Sequence, residues 1–317
     1  MMANVDVSVI IPSKNNKKRT AEIIRKIAES TQGMEVEFIV IDMNSKDNSV
    51  LCALNEIKKR NLRGYVIQSG GSTVSSALNT GIYKSDGKYI TFVYPSRLYK
   101  GDYMKAYYQT AEEKSADFVF SAPKTGSAKN NIVSAEIGSI DGCALAVGLV
   151  RSLISVDFCA VMIRREYLLS NHIKFYEECT FGYAEAFVFN ALLYEPKIAY
   201  SDIKLEREYT ETPPKEENVQ NNGCFSKIDA MLKVYETIQL NQRGNIALND
   251  AFAYNKLPSV VMSCVDILLK EGFSYSAIKN SLKLKNYDKL LKIARTTPAK
   301  LRKKILIWTV APKFYKL

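Results

Sequence analysis

The sequence predicts an α/β fold: a mainly parallel, doubly wound sheet followed by a helical C-terminal extension. Three observations carry this. Short apolar runs rich in Val and Ile alternate with amphipathic segments through the first ninety residues, a polar loop follows each run, and the chain beyond residue 223 reads as helix throughout.

In order, VSVIIP (7–12) is a strand, KRTAEIIRKIAES (18–30) a helix with Ile23, Ile24 and Ile27 on one face, and VEFIVID (36–42) a second strand. A helix over 48–59, a strand at GYVIQS, a helix over 73–84 and the strand KYITFV continue the alternation. With helices between successive strands the sheet is mainly parallel, and ligands belong outside the carboxyl ends of its strands. The pattern loosens between Ser121 and Asp157. It resumes with FCAVMI, then GYAEAFVFNALLYE as a helix and KIAYSDIKLEREY as extended chain. The polar, Pro-containing connector TETPPKEENVQNNG (210–223) divides an N-terminal domain, 1–215, from a helical region, 216–317.

At 317 residues, 47% apolar and 24% charged, the chain can bury a sizeable core. No run of eighteen apolar residues occurs and MMANVD leads straight into VSVII, so neither a bilayer span nor a signal peptide is expected, and the expected address is cytoplasmic. Six scattered cysteines without a C-x-x-C suggest buried, reduced thiols. With His172 the only histidine, any site that needs two imidazoles is excluded.

The net charge of +11 is unevenly placed. Residues 270–317 hold thirteen Lys or Arg against Glu271 and Asp288, so this end carries the whole excess and the body is neutral. Lys300, Arg302, Lys303 and Lys304 alternate with Leu, Ile and Trp308 ahead of Phe314 and Tyr315, which suits an anionic bilayer surface at on the order of 1 kcal/mol per basic residue. The expected partner of 298–317 is therefore the membrane's inner face, reached peripherally. A helix packed on the body or a nucleic-acid contact would use the same residues, but no nucleic acid is expected given the neutral body.

The strand ends read PSKNN, DMNSKDNS, GGSTVSSALNTG and YPSR. They are rich in hydroxyls and amides, suited either to a phosphorylated ligand or to turns and helix caps, as Asp47 or Asn48 would be before its helix.

VSVIIPSKNN, FIVIDMNSKDNS, SSALNTGIYKSDGKYITFV and GYAEAFVFNALL resemble, in order and spacing, the family 2 glycosyltransferases with a GT-A fold, over roughly residues 5–210. The resemblance implies a nucleotide-sugar donor and a glycan or lipid-linked acceptor, inverting transfer to a hydroxyl, and a place in surface polysaccharide or glycoconjugate synthesis. Pro12, Ser13 and Asn15 match the first nucleotide loop, Asp42, Asn44 and Ser45 the second, and Asn79 with Gly81 the third. Met43 replaces the family's second acid and Leu78 its arginine. Tyr94 and Ser96 stand where the family has the two aspartates of its metal-binding Asp-x-Asp.

A nucleotide-sugar diphosphate needs countercharge as its leaving group departs. Mg²⁺ or Mn²⁺ wants hard oxygen ligands, and with those acids missing no cofactor is expected. Arg97, with Lys100 beside it, is the expected substitute, its guanidinium offering a fork to phosphate oxygens; a solvated loop arginine is the other reading. Glu185 falls on the family's catalytic aspartate and is the expected base, its pKa lifted by partial burial; a plain acid in a helix's first turn is the alternative. Asp141 and Asp157 are weaker candidates for the base. A catalytically silent relative serving as scaffold or regulator in a polysaccharide assembly complex is the competing function.

Overall fold

A computed structural model describes residues 5–70, 73–121, 141–208 and 222–315. The expected alternation forms as β1 (Val7–Ser13), α1 (Lys17–Ser30), β2 (Val36–Asp42), α2 (Ser49–Lys59), β3 (Arg63–Gln68), α3 (Val74–Lys84) and β4 (Tyr89–Phe92). β5 (Leu98–Tyr99), α4 (Tyr103–Glu113), β6 (Phe118–Phe120), α5 (Gly142–Val150), β7 (Val161–Arg164), α6 (Arg165–Ser170), α7 (Tyr183–Leu192), β8 (Ile198–Tyr200) and β9 (Arg207–Glu208) complete the α/β part. The C-terminal region is helical: α8 (Asn222–Asn241), α9 (Ile246–Ala251), a π turn (Phe252–Lys256), α10 (Leu257–Lys270), α11 (Tyr275–Leu284) and α12 (Ala299–Val310). The expected boundary at residue 215 lies outside the described residues.

The main sheet runs β3-β2-β1-β4-β7-β6-β8. β1 is parallel to β2 on one side and to β4 on the other, whereas β7 is antiparallel to both β4 and β6. Every residue of β1 is buried, as expected of a strand covered on both faces. Strand order reverses at β1, so the carboxyl ends of β1 and β4 flank the crevice where such sheets bind ligands. Ser13 is in register with Asp42, which sets the first two loops side by side. A two-stranded ladder, Leu98↔Glu208 and Tyr99↔Arg207, ties the chain after β4 to the end of the α/β part.

Close approach fixes α3. A Cβ on Gly81 would lie 2.4 Å from Ile10 Cγ2, so only glycine lets this helix settle on β1. α5, in the stretch where the pattern loosened, escaped the sequence because GCALAVGLV has no polar face to reveal a period. It is capped by Asp141, whose carboxylate accepts from Ala144 N at 2.7 Å. Asp141 is thus held as a helix cap.

One core cluster joins the sheet to the C-terminal helices, with Phe189 of α7 packed edge-on against Phe252 at 4.9 Å. Cys224 of α8 and Cys264 of α10 form a disulfide, contrary to the expectation of six reduced thiols; the packing of these two helices brings together cysteines 40 residues apart, which spacing alone does not disclose. Cys52, Cys143, Cys159 and Cys179 are free. Ile246–Lys270 is long and apolar enough to cross a membrane by length and composition, but 56% of that window is buried inside the fold.

Gly81→Val is expected to cost roughly 1–3 kcal/mol by forcing α3 off β1. Urea denaturation reads this as a lower midpoint; an unchanged midpoint would show that Ile10 yields freely.

Candidate active site

The first two loops are stitched to each other. Asn15 N donates to Ser45 Oγ at 2.9 Å, Lys46 N donates to Asn15 Oδ1 at 2.7 Å, and Asn16 N donates to Ser49 Oγ at 2.9 Å. Asn15 and Asn44 adopt positive φ, 49° and 60°, which asparagine tolerates better than most residues. Ser13 Oγ shares a hydrogen bond with Thr20 Oγ1, and Pro12 lies buried in β1 opposite Ile41. Asp47 accepts from Ser49 N at 3.0 Å; Ser49's hydroxyl leads the contacts that hold its carboxyl below the usual range. Asp42 is buried. Its Oδ2 accepts from Ser45 N at 3.1 Å, while its Oδ1 has no hydrogen-bond partner among the described residues. A buried carboxylate oxygen left this way awaits a donor. Asn79 is committed elsewhere: its amide bonds Phe175 O, Phe175 N and Glu177 Oε1 at 2.8–3.0 Å, stapling α3 to the segment before α7.

After β4 the chain turns tightly, Arg97 N donating to Tyr94 O at 2.9 Å. Tyr94's hydroxyl meets that of Tyr183 at 3.0 Å, and burial, reinforced by Tyr183, pushes its pKa well above the ordinary phenol value. Ser96 is exposed at the tip. Arg97 enters a cleft of about 710 Å³ shared with Ser155, Asp157, Glu185, Arg207 and Lys227. Lys100 points away and pairs with Glu206 at 3.9 Å.

Asp157 organises the cleft. Its Oδ2 receives Arg207 Nη2 at 2.5 Å and Tyr99 Oη at 2.6 Å, its Oδ1 receives Cys159 N at 2.9 Å, and Arg97 Nη1 stands 3.9 Å from the same Oδ1. Burial works against its charge, but the Tyr99 hydroxyl, the Cys159 amide and the two guanidiniums outweigh it and hold the carboxyl below its ordinary pKa. Ser155 Oγ, also on the cleft wall, is buried without a hydrogen-bond partner among the described residues.

Glu185 opens α7 after Gly182, whose φ of 77° suits glycine alone. Lys256 of the π turn contacts its Oε1, and Lys227 of α8 stands 3.7 Å from Oε2. Burial pushes the Glu185 pKa up, yet Lys256 and then Lys227 overcome it, so the net displacement is downward. This corrects the expectation of a base lifted toward neutrality: the side chain is partly buried, 39% exposed, but two ammonium groups come with it. The N-terminus of α7 also separates two spaces, since Tyr183 lines a smaller cavity of about 200 Å³ with Lys14, Met43 and Thr73, beside the first and second loops.

The donor set at the β4 turn does not fit a hard divalent cation: a neutral phenol already bonded to Tyr183 and one exposed serine replace two carboxylates. No group of three His, Cys, Asp or Glu suited to a metal occurs among the described residues.

Residues 8–167 match the family model described as glycosyl transferase family 2. The chain belongs to that family. Among curated relatives, glycosyltransferase GlyG of Streptococcus pneumoniae serotype 4 is 31% identical over 114 residues, 36% of this chain and 37% of GlyG. The poly(ribitol-phosphate) β-N-acetylglucosaminyltransferase TarP of Staphylococcus aureus is 28% identical over 144 residues, 41% of this chain and 43% of TarP. The matches thus span well under half the length of these relatives. Among solved structures, S. aureus TarS 1–349 in complex with UDP-GlcNAc superposes with a TM-score of 0.68 over 96% of this chain and 87% of that one, at 16% identity. The mannosyltransferase PcManGT of Pyrobaculum calidifontis, in complex with GDP-Man and Mn²⁺, gives 0.54 at 12% identity over 100% and 89%. These likenesses show the GT-A fold expected from the loop motifs.

Arg207, Lys227 and Lys256 were not legible as site residues in the sequence. The first sits in the extended LEREY and the other two in ordinary helical segments; folding alone brings them to Asp157 and Glu185.

Asp157→Asn is expected to destabilise the protein by roughly 1–3 kcal/mol at pH 7, by weakening the hold on Arg207 and Tyr99. Because the folded carboxyl titrates below the unfolded one, its contribution is complete above about pH 4 and disappears as pH falls through the folded value. Urea melts across that range should show the gap between variant and parent closing on acidification.

Proposed function

We propose that the protein transfers a sugar from a nucleotide-sugar donor to a hydroxyl acceptor with inversion, and without a divalent cation. The observation that carries this reading is the convergence of Arg97 and Arg207 on one cleft beside Glu185, at the turn that follows β4. Arg207, bonded to the buried Asp157, and Arg97, 3.9 Å from the same carboxylate, together exceed its charge and would supply countercharge for the diphosphate; charge already in place costs little reorganisation as the leaving group departs.

Asp42, with its unpartnered Oδ1, and the cavity beside Met43 would hold the nucleoside. Ser155 Oγ would take a sugar hydroxyl. The acceptor oxygen then forms its bond to the anomeric carbon as the bond to the β-phosphate oxygen breaks; the electron pair leaves with the nucleoside diphosphate and the acceptor's proton passes to Glu185. A carboxylate held by two lysines is ionised at neutral pH and ready to receive it. The excess of cationic groups around the cleft suits an anionic acceptor, as in the poly(ribitol-phosphate) of TarP's name. The place in the cell would be surface-polymer synthesis.

The same reading extends to location. α12 buries Ile305 and Trp308 against the body; Lys304 bonds Asp266 and Arg302 bonds the carbonyls of Ala294, Arg295 and Thr297. Lys300 and Lys303 remain outside with Leu306 (50% exposed), Val310 (80%) and Phe314 (76%). This mixed apolar and basic stripe suits peripheral attachment to an anionic bilayer on the cytoplasmic side, through fewer lysines than the sequence suggested.

Thermal-shift titration with UDP-, GDP-, CDP- and dTDP-sugars, with and without Mn²⁺, tests the donor. Stabilisation without metal is expected, and no response to any donor would favour the silent scaffold. Arg97→Met or Arg207→Met should each lower turnover by roughly 10²–10³-fold. A Lys300→Glu, Lys303→Glu, Phe314→Ser variant should stop co-sedimenting with phosphatidylglycerol vesicles that the parent binds; equal pelleting would remove the membrane.

A further inference from the structure

We propose that Lys256, in the helical C-terminal region and beyond the residues matched by the family model, is a positioning residue that orients the Glu185 carboxylate and sets the pH at which it can accept a proton. This rests on the proposed role of Glu185 as base.

Two separate packing features build the contact. Just after the π turn, Pro258, the second residue of α10, has no N–H to donate and a ring that crowds the carbonyl four residues back. The helix widens over Phe252–Lys256, one way to absorb that crowding, and the wide turn carries Lys256 to α7. Its side chain is only 13% exposed, with Nζ 5.3 Å from the centre of the Phe189 ring and in contact with Glu185 Oε1. At Gly182, a Cβ would come within 3.1 Å of Lys227 Cα, so α8 lies tight against the start of α7 and Lys227 reaches Oε2.

The two lysines differ in consequence. Lys227 is 44% exposed and lines the cleft, so solvent and substrate weaken its hold. Lys256 is nearly covered and has one carboxylate to serve; it locks Oε1, while Oε2 lies on the side of Lys227, which lines the cleft where an acceptor hydroxyl would arrive. The other charged groups lining the cleft with Glu185 are Asp157, Arg207, which is bonded to Asp157, and Arg97, which is 53% exposed and 3.9 Å from it. Lys256 therefore makes the least screened contribution to the Glu185 charge.

The test compares the parent with Lys256→Met and Lys256→Arg. In Lys256→Met the acidic limb of the kcat/KM profile should move up by about one pH unit or more, a tenfold or greater change in proton affinity, with donor KM within about twofold of the parent. Lys256→Arg should restore the limb. A limb that stays in place in Lys256→Met overturns the proposal, whatever happens to kcat. Carboxyl ¹³C titration of Glu185, assigned by its loss in Glu185→Gln, reads the same shift without turnover. If no sugar nucleotide supports transfer, the assigned function fails, and the titration still decides whether Lys256 governs Glu185: an upward shift sustains it and an unmoved resonance refutes it.

Discussion

A buried carboxylate cannot stay charged alone, and Asp157 shows what that necessity builds. It has a hydroxyl, an amide and two guanidiniums around it, and in satisfying itself it fixes the groups it gathers. Arg97 comes from the turn after β4, Arg207 from β9 and Tyr99 from β5. No one of these would hold its place on an exposed loop edge. The cleft is therefore organised around an anion that belongs to the protein, and the cations it collects face the space where a substrate's anion would sit.

The sheet was legible because its strands and helices have clean periods: β1, β2 and α1 appear within a residue of their expected limits. The loops were legible as a set because their order matches a known family. Their chemistry was less so. Asn15 and Ser45 bond each other, and Asn79 holds a neighbouring segment, roles that residue type cannot distinguish from ligand binding. Asp157 lies just beyond a stretch without pattern and looked like a weak candidate. Its importance comes from three partners 50 to 60 residues away, which is a property of topology. Glu185, expected from the sequence as the base, lines the cleft, but the lysines beside it arrive from helices with no local mark of function.

Family membership covers only part of the candidate site. The matched segment ends at residue 167, yet Glu185, Arg207, Lys227 and Lys256 all lie after it. The matched segment supplies most of the sheet and the loops after β1, β2 and β4. The remainder supplies most of the charged groups lining the cleft, Glu185, Arg207 and Lys227 against Arg97 and Asp157 from the matched part.

The ladder between β5 and β9 ties the two parts together. Leu98 pairs with Glu208 and Tyr99 with Arg207, so the two ends of a long excursion of chain are clasped at two rungs. Tyr99 and Arg207 also meet on the Asp157 carboxylate, so backbone and side chains fasten the same two residues twice over.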